Sequence, residues 1–138
     1  MFKGNDDMPI LNREDILQAD DILIELVDAH EWGGNVYAKG ITGKERGKFE
    51  ASIVLNPGKH QKLNMVDMRA ILCSLGICDE DGKKLFTPAD VKALNEKSSA
   101  PLSRVFEVIQ RLSGLSDDDV EELAEALQDN PLEDSAFD

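Results

Sequence analysis

The stretch "ILIELVDAHEWGGNVYAKGI", residues 22–41, decides the fold. Its first seven residues are β-branched or Leu wherever they are apolar. Ile22, Ile24 and Leu26 share one face of an extended chain, with Glu25 opposite. Residues 35–41, "NVYAKGI", read as a second strand. Between the two lies "AHEWGG", whose adjacent glycines supply the positive φ that a chain reversal needs. An antiparallel hairpin is the simplest reading. Trp32, the single Trp of the chain, then packs over the hairpin's edge.

Outward from the hairpin, helix signals dominate. Upstream, "NREDIL" (12–17) pairs Asn12 as N-cap with Asp15 and predicts a short helical turn. Downstream, Thr42 and Glu45 of "TGKE" form a capping box, in which hydroxyl and carboxylate satisfy each other's orphan amides. The helix they start runs through "RGKFEASIVL", with Phe49 and Ile53 one turn apart, and "NPG" (56–58) stops it. Asn64 leads into "MVDMRAILCSL", where Met65, Met68, Leu72 and Leu75 fall on one face and Ile71 widens it. Gly76 ends that helix.

"ICDEDGKKLF" (77–86) reads as a small hairpin around Asp81-Gly82. "TPAD" (87–90) places Thr87 at a cap and Pro88 at the first helical position. Pro101 opens a helix over "LSRVFEVIQRLS", closed by Gly114. Its stripe of Leu102, Val105, Phe106, Ile109 and Leu112 is wide enough for core packing. Ser116 caps a last helix, "DDDVEELAEALQ", with Val120, Leu123, Ala124 and Leu127 on one side and carboxylates on the other. The expected fold is α+β: an N-terminal antiparallel β-hairpin, then a mainly helical bundle with a second short hairpin. The boundaries drawn are a flexible N-terminus at 1–9, one domain at 10–128 and an acidic, disordered tail at 129–138.

Charge and composition narrow the function classes. The 138 residues carry a net charge of −13, and 41% are apolar, enough for a core built mainly from aliphatic side chains. Residues 117–138 hold ten acidic groups and no Lys or Arg, leaving 18 acidic against 15 basic groups elsewhere. Phosphate backbones repel such a segment, which disfavours nucleic-acid binding and favours a basic protein partner. The N-terminus lacks a signal-peptide pattern, and the apolar run "AILCSLGIC" (70–78) is far shorter than the ~20 residues a bilayer span requires, so no membrane role is expected. The reading is a soluble, intracellular protein with reduced thiols.

No catalytic or metal motif survives inspection. Cys73 and Cys78 lack a second Cys pair for a structural zinc site, and His30 and His60 sit in segments without other ligands. No G-x-S-x-G is present, and no Cys or Ser is matched to an oriented His by sequence signature. "DEDG" (79–82) fails the calcium-loop register, because Ile77 and Pro88 fall where carboxylates belong. "GITGKERG" (40–47) fails as a phosphate loop, with Glu45 after the Lys in place of Ser or Thr. No cofactor and no enzyme activity is expected.

The ordered segments, roughly residues 10–128, resemble the tail assembly chaperones of long-tailed bacteriophages and prophages. The resemblance is carried by Glu31-Trp32-Gly33-Gly34 followed by Thr42-Gly43-x-Glu45-Arg46, by the Gly82-x-x-Leu85-Phe86 turn, and by Leu112-Ser113-Gly114-Leu115. It implies a non-enzymatic role: binding the long, helical, apolar-rich tape measure protein and keeping it soluble while tail tube subunits polymerise around it. It further implies the cytoplasm of a bacterial host as location, absence from the mature virion, the tail tube protein as a further partner, and in many members a longer frameshifted form. Covering a long client with a small domain also suggests self-association into a homo-oligomer.

Within the role that the resemblance implies, the client surface is expected on the last two helices, at Phe106, Val120, Leu123 and Leu127, with Trp32 as an outlying candidate. Adaptable Met65 and Met68 are suited to such contacts, although core packing is the plainer use of both. The alternatives weighed are a structural tail or neck subunit retained in the virion and an acidic mimic of nucleic acid. The mimic needs fixed charge spacing, which a flexible tail does not offer.

Overall fold

The hairpin forms as the alternation predicts. In the computed structural model, which describes residues 8–55 and 62–128, β1 (Ile24–Ala29) pairs antiparallel with β2 (Gly34–Lys39), Leu26 opposite Tyr37 and Val27 opposite Val36. The reversal is a 3-10 turn, His30–Trp32, closed by Gly33 at φ 94°, a left-handed conformation that glycine adopts without strain. The second strand partner was not foreseen: β5 (Ile77–Cys78) adds to β2 antiparallel, giving a three-stranded sheet of order β1-β2-β5. β1 is therefore an edge strand.

The sheet faces the core with the opposite side from the one its aliphatic alternation favours. Val27 and Ala29 are buried, while Ile24 and Leu26 stay 41% and 54% exposed. The buried side contacts α5 (Ser99–Leu112), whose Leu102, Val105, Phe106 and Ile109 are buried. Small Ala29 and Ala38, both fully buried, let a helix approach the strands closely. Gly40 lies at a second close approach, where a Cβ would be 2.8 Å from the Leu112 carbonyl oxygen.

Six helices occur among the described residues. α1 (Arg13–Gln18) has the expected Asn12–Asp15 capping box and no buried residue. α2 (Gly43–Ser52) starts at the Thr42–Glu45 box and buries Phe49; Ile53, at its end, is fully buried. It stops earlier than expected: Val54–Leu55 form β3, paired with β4 (Lys62–Leu63). The expected "NPG" stop lies in 56–61, outside the described residues, as does His60. Three successive β-branched or Leu positions favour the extended chain over a last helical turn.

α3 (Met68–Gly76) begins later than predicted, after a turn in which Asn64 Oδ1 accepts from Asp67 N at 3.2 Å. Met65 is thereby left outside the helix and half exposed, while Met68 and Leu72 enter the core. The 77–86 reversal forms with Gly82 at φ 86° and Cys78 bridged to Lys84. Thr87 and Asp90 cap the 3-10 turn Pro88–Asp90, which continues into α4 (Val91–Asn95).

α5 ends at Ser113 and Gly114, the latter at φ 69°. Ser116 and Asp119 exchange hydrogen bonds at 2.9 and 3.2 Å to start α6 (Asp117–Gln128). The core is one cluster shared by the sheet, α2, α3, α4 and α5, with Val120 and Leu123 of α6 half-buried against it. Each fully buried Phe, Leu, Ile or Val there contributes about 1.5–3 kcal/mol of transfer free energy. The architecture is α+β, with an early antiparallel hairpin and a mainly helical remainder. Residues 1–7 of the segment 1–9 read as a flexible N-terminus, and all of the segment 129–138 read as an acidic tail, lie outside the described residues.

Candidate functional site

The cysteines are set for packing. Cys73 is fully buried, with Sγ 3.6 Å from the Leu102 carbonyl oxygen, and burial pushes its thiol up to about 12. Burial also raises the Cys78 thiol. A thiol held so far above neutrality forms little thiolate, the reactive species. Among the described residues no group of three or more His, Cys, Asp or Glu could hold a metal ion. The Asp79 carboxylate, read above as part of a failed calcium loop, instead accepts from Asp81 N and Lys83 N, both at 2.9 Å, and stabilises the turn.

A polar cluster ties the hairpin reversal to α5. Arg104 grips Glu31 with two parallel bonds of 3.0 and 2.8 Å and also donates to the Asp28 carbonyl oxygen at 2.8 Å. A forked guanidinium matches this planar geometry. The Arg104 hydrogen bonds hold the Glu31 carboxyl down at about 2. His30 Nδ1 lies 2.6 Å from Asp28 Oδ2, and that hydrogen bond, with the neighbouring Glu31 charge, raises the His30 pKa. All of these groups are engaged in fixing the turn that carries Trp32.

Trp32 lines a groove of about 410 Å³ with Phe86, Ala93 and Leu94, rimmed by Glu31, Asp90 and Lys97. Its indole Nε1 is buried and makes no hydrogen bond among the described residues. A second groove, about 620 Å³, lies between α2, α3 and α4 and exposes parts of Ile71, Leu75 and Val91. The exposed Met65 and Val66 lie in the turn just before α3. A third, about 560 Å³, runs along α5 over Phe106 and Val108, beside Arg69, Arg104 and Arg111. All three combine apolar surface with a mixed-charge border, which suits amphipathic polypeptide segments better than small polar substrates.

Of the five residues singled out from the sequence, Trp32, Val120 and Leu123 pack against the core cluster to which Phe106 belongs. Trp32 and Phe106 line different grooves. Phe106 is only 5% exposed and belongs to the core. Val120 and Leu123 pack half-buried on the body, so this part of the α6 stripe is docked rather than free. The Leu127 side chain lies outside what is described. The grooves also draw on Phe86 and on Ile71 and Leu75, whose apolar periodicity was legible while their partial exposure was not.

No protein-family model matches this sequence, and no curated protein matches it. Among solved structures, the chain is similar to the tail assembly chaperone of bacteriophage HK97, at 15% sequence identity and a TM-score of 0.52, over 72% of this chain and 94% of that one. At that identity the likeness is one of fold, and the protein whose fold this chain shares is a chaperone rather than an enzyme.

Proposed function

We propose that this chain is a phage tail assembly chaperone that binds and shields the tape measure protein during tail morphogenesis. The observation that carries the reading is the fold shared with the HK97 tail assembly chaperone over 94% of that chain. The structure adds support from its surfaces: three grooves, each lined by both apolar and charged side chains. A reversible holdase needs such surfaces, because it must cover apolar stripes of its client without entangling them. The acidic balance of −13 keeps a loaded complex dispersed and attracts basic stretches of the client.

The test is co-expression with the tape measure protein of the same phage. The expected result is a soluble complex that co-purifies at defined stoichiometry. A tape measure protein that stays as insoluble as when made alone overturns the proposal. Mass spectrometry of purified virions separates this role from a subunit retained in the particle: the chaperone is absent, whereas a structural subunit is present in stoichiometric amount.

A further inference from the structure

The groove between α2, α3 and α4 combines an apolar lining with one uncompensated charge. Ile71 and Leu75 stand one helical turn apart on α3 and are half-buried; Val91 of α4 and Ala51 of α2 line the same groove. Two charged side chains also line it, Lys48 and Asp67. The Asp67 carboxylate is already engaged, accepting from Asn64 Nδ2 at 2.8 Å and from Asn95 Nδ2 at 2.6 Å. Lys48 is exposed and, among the described residues, is in no ion pair. A segment that fits this groove brings apolar side chains for Ile71, Leu75 and Val91 and carboxylates for Lys48.

One segment of the chain has that make-up and begins close by. α6 lies against two elements that wall the groove: Arg46 of α2 is 3.9 Å from Asp119, and α6 contacts β4, whose next residue, Asn64, lines the groove. Ten residues follow Gln128, "DNPLEDSAFD". Fully extended they span at most about 35 Å, roughly the width of a domain of this size. Glu133 and Asp134 sit between Leu132 and Phe137, and the segment has no Lys or Arg. A basic client stretch is the poorer match to this groove, because Lys48 repels it.

We propose that residues 129–138 dock into this groove of their own chain, with Leu132 and Phe137 over Ile71, Leu75 and Val91 and the Glu133 and Asp134 carboxylates at Lys48. Tethering holds the segment at a millimolar effective concentration, so a contact too weak to retain a separate peptide is still populated. The docked segment covers the groove's apolar lining and pairs its unmatched cation. Any other segment entering this groove has to displace it. The contact needs no client, and it stands or falls apart from the chaperone reading.

A nitroxide on the full chain tests it. Cys73 and Cys78, the only two cysteines, are buried, so Ser135→Cys supplies the one accessible thiol for the label. Methyl NMR signals of Ile71, Leu75 and Val91 are expected to lose at least about twofold in intensity relative to those of Leu26 and Val108, which do not line this groove. Two further variants of the labelled chain should each restore them: Lys48→Glu, at an exposed position, and Leu132→Ser with Phe137→Ser, in the segment itself. Circular dichroism checks that both keep the fold, and the restoration by high salt should resemble that by Lys48→Glu. Unbroadened groove signals, broadening spread evenly over the chain, or broadening that survives both variants overturns the proposal. So does broadening that arises only between copies, seen when spin-labelled chains are mixed with isotope-labelled chains that carry no nitroxide.

Discussion

Gly76 and Ile109 meet where no side chain fits between them: a Cβ on Gly76 would lie 2.5 Å from Ile109 Cδ1 and 2.7 Å from its Cγ1. The contact sets how closely α3 and α5 pack, and Ile109 is fully buried, so it has no solvent-side space to retreat into. Gly76→Ala gains helix propensity at the last turn but forces overpacking. The net expectation is a loss of about 1–3 kcal/mol, read from the midpoint of urea unfolding. Ile109→Val in the same background removes the clashing Cδ1 and should cost less there than it does in the wild type. A Gly76→Ala chain as stable as the wild type would show that the two helices can part freely.

The Arg104 tie makes a pH prediction with two opposite signs. Glu31 is held at about 2 by its hydrogen bonds from Arg104, below the ordinary carboxylate value of 4.5. Its contribution to stability is full above pH 4.5 and is lost as pH falls through about 2. His30 is raised above 6.5 by its hydrogen bond to Asp28, so its contribution is full below pH 6.5 and is lost as pH rises through the raised value. Arg104→Ala should shift both upward on NMR titration: Glu31 loses its donor, and His30 loses a repelling positive charge. Glu31 titrating near 4.5 in the wild type would contradict the geometry.

Much of this fold is legible in the sequence because local rules govern it. The capping boxes at Asn12, Thr42 and Ser116 and the left-handed Gly33, Gly82 and Gly114 are each decided by a few neighbouring residues. What the sequence hides is set by distant partners. The alternation at Ile24 and Leu26 announces a strand, but which face turns inward depends on α5 needing the close approach that Ala29 and Ala38 allow. The pairing of β5 with β2 joins residues about forty positions apart, and no local pattern records it. The grooves are hidden for the same reason: Ile71 and Leu75 read as one apolar helix face, and only the packed structure shows which edge of each is left open.

α6 offers a test of how its stripe is used. Val120 and Leu123 lie half-buried against the core. Leu123→Ser removes that contact and should destabilise the chain by about 1–2 kcal/mol, less than a fully buried Leu would, with the loss seen first as earlier hydrogen exchange in residues 117–128. A chain that keeps its stability and its α6 protection but fails to retain the tape measure protein in solution would instead place Leu123 in the client contact.

Trp32 gives the sharpest test of the groove it lines, because its indole N–H is buried and has no hydrogen-bond partner among the described residues. An unsatisfied buried donor costs about 1–3 kcal/mol, so its replacement by an apolar ring removes a penalty along with some contact area. Trp32→Phe should therefore leave stability within about 1 kcal/mol of the wild type, whereas Trp32→Ala, which empties the site, should lose about 2–4 kcal/mol. The two variants part company in binding. If a carbonyl of a docked client segment completes the orphan N–H, Trp32→Phe weakens the complex by about the worth of one hydrogen bond, 0.5–1.5 kcal/mol, with the fold intact. As the only Trp in the chain, Trp32 also reports directly on its own groove. Its fluorescence should shift on titration with tape measure fragments that enter there. An unchanged spectrum alongside undiminished affinity in Trp32→Phe would move the client to the groove between α2, α3 and α4, where Leu75→Asp becomes the variant that abolishes binding.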